Sequence, residues 1–518
     1  MPSPFATASK VGFDWYVAAP FFVLLSAALA FYAFWGFTAD DAYIVARYSE
    51  NLAAGHGLVF NSGEYVSALT SPAEALVLAA LAAGPLPTLT LYKILCAMAV
   101  GGSLSVVSYV AFRDNAERTL FLAVTAASPL VVMWTAGGLE TPLLLSVATC
   151  LCLLCFRPLT RLSFGLSTLL ASVGFIIRFD NVLFSAPIIL TMGWQMYRTR
   201  TLSAMHILPG LLPIGWLIFS YRYYGDIFPT SLYVKAPHFG LMEVLKGTVY
   251  EVSALVISGL WLIAPPISRC KLVGRLDAST LNSQPLLVAL WAGFGLVLVY
   301  GLSAGTKHMM FGYRLFVPYL PGITLALMRF SFGSEKRVPR QTLAAVAALQ
   351  VCMTIIVWDF SVNPTLLTPW KLYEYSRAGM RSYTDDFLSA LEYNADTIVA
   401  HWRVSPSTDQ RPLRIATYAG GLVPYLIPDA YVYEGLISYR KHCARRWSEF
   451  ANYTMILYPR HGDLETQLGS LSVNGQMIGE RVVRFDGSLE HFQVWYNPQP
   501  KTITLPARIS DQCTELGS

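Results

Sequence analysis

The chain has 518 residues, of which 54% are hydrophobic and 13% are charged, about half the charged fraction of a typical soluble protein. Its net charge of +5 comes from Lys and Arg residues scattered between apolar runs, which excludes a nucleic-acid-binding protein. Eight cysteines are too few for a small disulfide-stapled domain. Residues 1–361 hold 38 of the 69 charged residues and the last 157 residues hold 31. This distribution predicts a membrane region over 1–361 and a water-facing domain over 362–518.

Apolar runs long enough to cross a hydrocarbon core of about 30 Å recur along the first part of the chain. The sequence predicts eleven transmembrane helices, near 17–36, 91–112, 119–136, 141–156, 163–178, 182–197, 204–223, 251–267, 285–304, 314–330 and 341–360. A shorter apolar run at 71–84 indicates a membrane-surface or re-entrant helix. The predicted fold class is therefore a polytopic α-helical membrane protein with a C-terminal extracytoplasmic α/β domain.

Loop charges predict the orientation of these helices. With a cytoplasmic N-terminus, every cytoplasmic turn carries basic residues, as the positive-inside rule requires: Lys10, Arg113, Arg118, Arg157, Arg161, Arg198, Arg200, Arg269, Lys271, Arg275, Lys336, Arg337 and Arg340. Loops 37–70, 224–250 and 305–313 and the whole of 362–518 then lie outside the inner (plasma) membrane. Most acidic residues of the membrane region lie at this outer side, where costly charged groups are usually functional or paired. This distribution of acidic residues predicts an enzyme or a transporter whose functional residues face the outside.

The first outer loop contains Asp40 and Asp41, the one adjacent acidic pair before residue 362. Two neighbouring carboxylates repel each other, which raises the pKa of one and suits it to proton abstraction. The alternative is structural: either aspartate would serve equally well as the N-cap of a helix over 42–54.

The longer pattern around this pair resembles the membrane-embedded GT-C glycosyltransferases, and in particular the actinobacterial family that adds terminal β-(1→2)-arabinofuranose. The resemblance covers nearly the whole chain, in order. It is carried by Asp40 to Ser71, Arg178-Phe179-Asp180, Tyr223-Tyr224-Gly225-Asp226, Pro229-Thr230-Ser231, Lys235, Gly312 to Pro318, Ala419 to Tyr425 and Glu434-Gly435-Leu436. Departures from the family pattern occur at Thr306-Lys307-His308, Asp180, Ser231 and 66–69.

The resemblance implies transfer of a sugar from a polyprenyl-phosphate donor to an acceptor hydroxyl. A carboxylate must take the hydroxyl proton, and Asp40 or Asp41 is the candidate. The phosphate leaving group needs nearby cations, and the candidates are Arg314 and Lys235, which lie in family-like segments, with Arg222, His238 and Lys307. The alternative for each cation is interfacial anchoring or an ordinary salt bridge.

Further candidates belong to a sugar or acceptor pocket: Arg47, His56, Arg178, Asp180 and Tyr224. Arg178 and Asp180 would otherwise form a buried structural pair, His56 would cap a turn, and Tyr224 would belong to an interfacial aromatic belt. The histidines and cysteines show no metal-ligand spacing, and Cys152 and Cys155 fit small core residues of a helix. The sequence predicts no metal and no cofactor beyond the lipid-linked sugar, which is a substrate.

The predicted partners are the lipid bilayer, the polyprenyl-phosphate sugar and a glycan, glycolipid or protein acceptor. A mannosyl- or other hexosyltransferase of the same fold is one alternative. A non-catalytic lipid or polysaccharide transporter is another, but transporters place ionisable residues near mid-span, whereas here these residues collect at one face.

The stretch 362–518 has a different pattern, typical of a mixed α/β domain. Alternating apolar and polar residues predict strands at 415–418, 453–458 and 492–496. Helices are predicted at 373–394 and 439–451. A disulfide between Cys443 and Cys513 is an open alternative in an oxidising compartment.

Overall fold

The computed structural model of the chain describes residues 15–234, 240–263, 285–304, 311–331, 340–360, 379–404, 413–434, 451–458, 475–485, 488–498 and 500. These residues do not include the predicted boundary at 361/362, Cys443, Cys513 or residues 439–450 of the helix predicted at 439–451, and Ala451 is described outside any helix.

Helices make up most of the described membrane region. In chain order they are α1 (Trp15–Phe34), α2 (Asp40–Ala53), α3 (Pro72–Leu81), α4 (Thr88–Ala111), α5 (Asn115–Val124), α6 (Pro129–Ala136), α7 (Thr141–Cys155), α8 (Arg161–Ile177), α9 (Val182–Arg198), α10 (Ala204–Ile207), α11 (Leu211–Tyr224), α12 (Thr230–Val234), α13 (Leu241–Ser258), α14 (Leu260–Ile263), α15 (Pro285–Ala304), α16 (Leu320–Ser331) and α17 (Arg340–Ile355). Proline at the first or second position starts α3, α6 and α7, where its missing N–H costs nothing.

Four helical stretches in the described part of the chain are long and apolar enough to cross a membrane: Thr88–Ala111, Ala204–Tyr224, Pro285–Ser303 and Gln341–Asp359. The run predicted as one span at 119–136 is instead two helices, α5 and α6, bent by 60°. Other apolar helices, including α3 at 72–81, are shorter. Eleven spans therefore stay a prediction.

The connections that the sequence places outside lie next to each other in space. The backbone N–H of Ala39, just before α2, donates to the carbonyl of Gly137 between α6 and α7, over 3.0 Å. The N–H of Thr230 donates to the carbonyl of Ser67 over 2.8 Å. These bonds join segments that are about 100 and 160 residues apart in sequence, and they bring the polar residues of several loops together.

The C-terminal part contains a mixed five-stranded sheet of order β2-β1-β3-β5-β4, made of β1 (Arg414–Ala416), β2 (Tyr431–Tyr433), β3 (Tyr453–Tyr458), β4 (Gln476–Phe485) and β5 (Ser488–Tyr496). Strand β1 is parallel to both β2 and β3, whereas β5 is antiparallel to β3 and β4. The three predicted strands are confirmed. The helix predicted at 373–394 is described from residue 379 on, as α18 (Met380–Ser382), a π-helical stretch (Tyr383–Leu388) and α19 (Ser389–Val404), followed later by α20 (Leu422–Leu426).

Helix α19 packs on β4 and β5, and α20 packs on α2. One continuous set of buried apolar residues, which includes Phe37, Tyr383, Leu422 and Phe492, joins the membrane helices to the sheet. The first outer loop is thus held between the membrane helices and the C-terminal part.

Candidate active site

A cavity opens where the described outer connections converge. Its polar lining comes from seven separate segments: the start of α2, the residues before α3, the α6–α7 turn, the α8–α9 connection, the segment around α12, helix α15 and the segment before α16. Its charged lining residues are Asp41, Glu140, Arg178, Asp180 and Arg314, accompanied by Thr70, Ser231 and Tyr300.

The five charged side chains form one continuous series of ion pairs, which we call the charge chain. Arg314 Nη1 lies 3.4 Å from Asp41 Oδ2, and Arg314 Nη2 lies 2.9 and 2.8 Å from the two oxygens of Glu140. Arg178 Nη1 lies 3.1 Å from Glu140, and Arg178 Nε and Nη2 donate to the two oxygens of Asp180 over 3.0 and 2.6 Å. Glu140, in the middle of the charge chain, is buried, since its side chain is 1% exposed. Asp41 at one end of the charge chain is 27% exposed and Asp180 at the other end is 17% exposed.

The Gly137-Gly138 turn between α6 and α7 determines the position of Glu140. Gly138 has φ +78°, a conformation that favours glycine. A Cβ on Gly138 would lie 3.2 Å from Ala42 Cβ and 3.3 Å from Thr38 Cγ2. The absence of a side chain therefore lets this turn pack directly against the start of α2, and Glu140 then faces Asp41 across Arg314.

Arg314 follows a similarly constrained turn. Gly312 and Tyr313 have φ of +59° and +57°, and the left-handed region is uncommon for a tyrosine. The turn is held by Trp134, whose Nε1–H donates to the Gly312 carbonyl over 2.8 Å and whose ring lies 5.7 Å from the Arg314 guanidinium. Arg314 is thereby directed at Glu140 and Asp41.

Asp40 and Asp41 have different surroundings although they are neighbours in sequence. Asp40 is buried away from the cavity: its Oδ1 accepts the N–H of Leu422 over 2.8 Å, and its own N–H donates to the Tyr383 hydroxyl over 2.9 Å. Burial raises the pKa of Asp40 to about 7, against hydrogen bonds that lower it. Helix α2 begins at Asp40 and its N-cap is Ala39, so the expectation of an aspartate N-cap is wrong. Asp40 ties α2 to α20, and Asp41 faces the cavity.

Glu74 lies next to the charge chain, in the short helix α3, and is fully buried. Burial and then the charge of Glu140 raise the pKa of Glu74 well above its ordinary value. Burial also raises the pKa of Glu140, but the charges of Arg314 and Arg178 outweigh it and bring the pKa below its ordinary value. The pKa values of the two carboxyls are thus shifted in opposite directions, up for Glu74 and down for Glu140.

Other candidates lie outside this cavity. Arg47 is buried and donates to the carbonyls of Phe60, Pro424 and Ala430, so it fastens the first outer loop to the C-terminal part instead of lining the cavity around Asp41. Tyr224 is buried, and its hydroxyl donates to the Leu58 carbonyl over 2.7 Å. His56 and Arg222 are exposed, and His56 lines a second cavity.

Three candidate cations, Lys235, His238 and Lys307, lie outside the described residues. Arg178 and Asp180 form a partly buried ion pair and also line the cavity. Within the described part of the chain, no group of three or more His, Cys, Asp or Glu residues is placed to hold a metal ion. Cys152 is buried in α7, with its thiol 3.4 Å from the Gly322 carbonyl.

Sequence reasoning missed Glu140 as a site residue. The available signal was a lone carboxylate between two long apolar runs, at 119–136 and 141–156, where an ionisable group is expensive and usually functional or paired. Its central place in the charge chain depends on contacts with residues 38 and 174 positions away.

Comparisons with known proteins agree with this architecture. No protein-family model matches the sequence. A 223-residue stretch is 28% identical to the terminal β-(1→2)-arabinofuranosyltransferase of Mycobacterium tuberculosis. The match covers 38% of this chain and about a third (34%) of that protein's length. The crystal structure of ArnT from Cupriavidus metallidurans bound to undecaprenyl phosphate superposes with a TM-score of 0.54, covering 91% of this chain and 97% of that chain at 12% identity. The chain is therefore a multi-pass helical membrane protein with the GT-C fold, which confirms the fold that the resemblance found in the sequence implied.

Proposed function

We propose that this chain, a membrane protein of the GT-C fold, is a glycosyltransferase that moves a sugar from a polyprenyl-phosphate donor to an acceptor hydroxyl. The observation that supports this most directly is the cavity in which a partly exposed carboxylate, Asp41, is held by Arg314 beside further polar groups. The likeness to an arabinofuranosyltransferase favours arabinofuranose as the sugar. The acceptor is an envelope glycan, a glycolipid or a protein.

Asp41 is the general base in this proposal. The acceptor oxygen forms a bond to the anomeric carbon, the bond between that carbon and the phosphate oxygen breaks, and Asp41 takes the acceptor proton. Polyprenyl phosphate leaves with the electron pair of the broken bond. Asp41 suits the role because it lines the cavity and is the most exposed carboxylate of the charge chain, at 27%.

The contacts of Arg314 favour a positioning role for it over the phosphate-binding role inferred from the sequence. Its guanidinium already bonds Glu140 through both carboxylate oxygens and pairs with Asp41. The charge chain holds three carboxylates and two guanidinium groups, so it offers no surplus positive charge to a phosphate. We assign the donor phosphate to Lys235, with His238, Lys307 and Arg222 as further candidates.

A donor panel tests the function. Purified protein in detergent is incubated with radiolabelled polyprenyl-phosphate arabinofuranose, mannose and glucose, each with an envelope glycan extract. We expect consumption of the arabinofuranosyl donor and release of polyprenyl phosphate. Consumption of a hexosyl donor instead would favour the hexosyltransferase alternative. If the protein consumes none of the donors, the result would favour the transporter alternative.

The proposed site requires the C-terminal part to lie outside the inner (plasma) membrane, with the N-terminus in the cytoplasm. We expect a cysteine introduced at Val404, which is 80% exposed at the end of α19, to react with an impermeant maleimide in spheroplasts. A cysteine at the exposed Arg113, in a predicted cytoplasmic turn, is the matched control and should react only after lysis. The reverse pattern would place the cavity on the cytoplasmic side and contradict the assignment.

A further inference from the structure

A second cavity lies where the first outer loop meets the C-terminal part, and among the described residues it shares no lining residue with the cavity around Asp41. One side is formed by α2 and the loop that follows it, with Glu50, Asn51 and His56. The other side is formed by β1, α20 and the segment leading into β2, with Arg414 and Tyr425. We call this cavity the junction groove.

Aromatic rings and uncharged hydrogen-bonding groups dominate the groove. Tyr425, Tyr431 and Tyr433 line it, and the rings of Tyr431 and Tyr433 lie 5.0 Å apart. Tyrosines combine an apolar face with a polar edge, and asparagine side chains both donate and accept hydrogen bonds. Sugars have the matching surface, since their C–H faces pack on aromatic rings while their hydroxyls donate and accept.

Charge in the groove is balanced. The described lining has two acidic residues, Glu50 and Asp429, and two arginines, Arg47 and Arg414. Arg47 is already engaged with backbone carbonyls. A phosphate or another polyanion would find no excess of positive charge here, so the lining favours a neutral ligand.

The walls of the groove are fixed before any ligand arrives. The Asn61 side chain donates to the Val432 carbonyl over 2.9 Å and accepts the Val432 N–H over 3.0 Å. Tyr431 donates to Glu64 over 3.0 Å, and Arg47 donates to the carbonyls of Phe60 and Ala430. A preformed site loses less conformational entropy on binding, which a weak glycan contact requires.

The groove and the Asp41 cavity occupy different faces of α2. Asp41, Ile44 and Val45 line the first cavity, whereas Glu50 and Asn51 line the groove. Nine residues of α-helix separate Asp41 from Glu50 by about 14 Å along the axis. A sugar in the groove is therefore too far from Asp41 to react.

We propose that the junction groove binds a neutral oligosaccharide, namely a segment of the acceptor glycan several residues away from the hydroxyl that reacts. Its identity as acceptor rests on the proposed glycosyltransferase function. The proposal that the groove binds a glycan does not rest on that function, since it is argued from the lining residues alone. The groove would give the enzyme a preference for long acceptors over single sugars.

Binding to the full chain in detergent, without donor, tests the proposal. Fluorescently labelled arabinopentaose, mannopentaose and maltopentaose are titrated against wild type, Tyr425→Ala, Tyr425→Phe and Leu426→Ala. We expect at least one pentasaccharide to bind wild type, Tyr425→Ala to raise its Kd at least about tenfold, and Tyr425→Phe to stay within about twofold. Leu426 is the matched control, since it is exposed on the same helix but does not line the groove, and Leu426→Ala should bind like wild type.

If Tyr425→Ala fails to fold, Asp429→Ala replaces it, because Asp429 is an exposed lining residue. Failure of all three pentasaccharides to bind wild type, or unchanged binding by the groove variants, would overturn the proposal. A protein that binds a pentasaccharide in the groove but consumes no donor would contradict the glycosyltransferase function and leave the groove standing. Donor consumption with unchanged glycan binding by the variants would contradict the groove alone.

Discussion

Asp41→Asn is expected to lower turnover of the lipid-linked sugar by at least about a hundredfold, within the range that a general base contributes. Asparagine keeps the shape of the side chain and a carbonyl oxygen for Arg314, but it cannot accept the proton of the acceptor hydroxyl. Because the proposed phosphate ligands lie elsewhere, the donor should still bind. Turnover and donor affinity are measured on the same preparation, with the thermal midpoint as a check on folding.

Asp40→Asn is the matched control, since it makes the same chemical change one residue away. Its carbonyl oxygen keeps the hydrogen bond from the Leu422 N–H, and Asp40 lies outside the cavity lining. We expect this variant to turn over within a few fold of wild type. If Asp40→Asn is inactive and Asp41→Asn is active, the base is Asp40 and the proposed approach of the acceptor is wrong.

The sequence identifies the Asp40-Asp41 pair as a candidate. It does not show which of the two aspartates faces the cavity. Successive residues on an α-helix point about 100° apart, so one aspartate turns to the cavity and the other to α20. Which faces which depends on Leu422, 382 residues away. A contact of that separation leaves no periodic pattern in the sequence.

Sequence patterns predicted the structure more closely where interactions between residues near each other in sequence determine it. Alternating residues at 453–458 and 492–496 predicted strands that pair with each other in the structure. Long apolar runs predicted α4 and α15 closely. The run at 119–136 broke into α5 and α6, because Pro129 starts a new helix after Ser128, and the residue before a proline disfavours the helical conformation.

The same limit applies to Arg314, for which the sequence predicts a phosphate-binding role. From sequence, a basic residue at an outer loop of a lipid-phosphate enzyme is a reasonable phosphate contact. The carboxylate that neutralises Arg314, Glu140, comes from the α6–α7 turn, and only the fold brings the two together.

Glu140→Gln is expected to destabilise the protein most among changes to the charge chain. It removes the fully buried anion shared by Arg314 and Arg178, and breaking a buried ion pair typically costs about 3–5 kcal/mol. The thermal midpoint in detergent should fall by roughly 3–5 °C at a fixed scan rate. Glu392→Gln, the same substitution at an exposed position on α19, is the control and should leave the midpoint unchanged.

Glu74 provides a second test of the charge chain, because its pKa depends on the charge of Glu140. In the wild type, burial and the charge of Glu140 raise the pKa of Glu74 and so favour its neutral form, for which reason Glu74→Gln alone should cost little. Once Glu140 is glutamine, that repulsion is gone while the attraction of Arg314 remains. The pKa of Glu74 is then expected to fall, and its ionised form replaces part of the missing anion. The double variant should therefore be less stable than the sum of the single variants, by a coupling energy of about 0.5–3 kcal/mol. Strict additivity would mean that Glu74 does not share its proton equilibrium with Glu140, and an unchanged midpoint in Glu140→Gln would mean that the charge chain does not stabilise the fold.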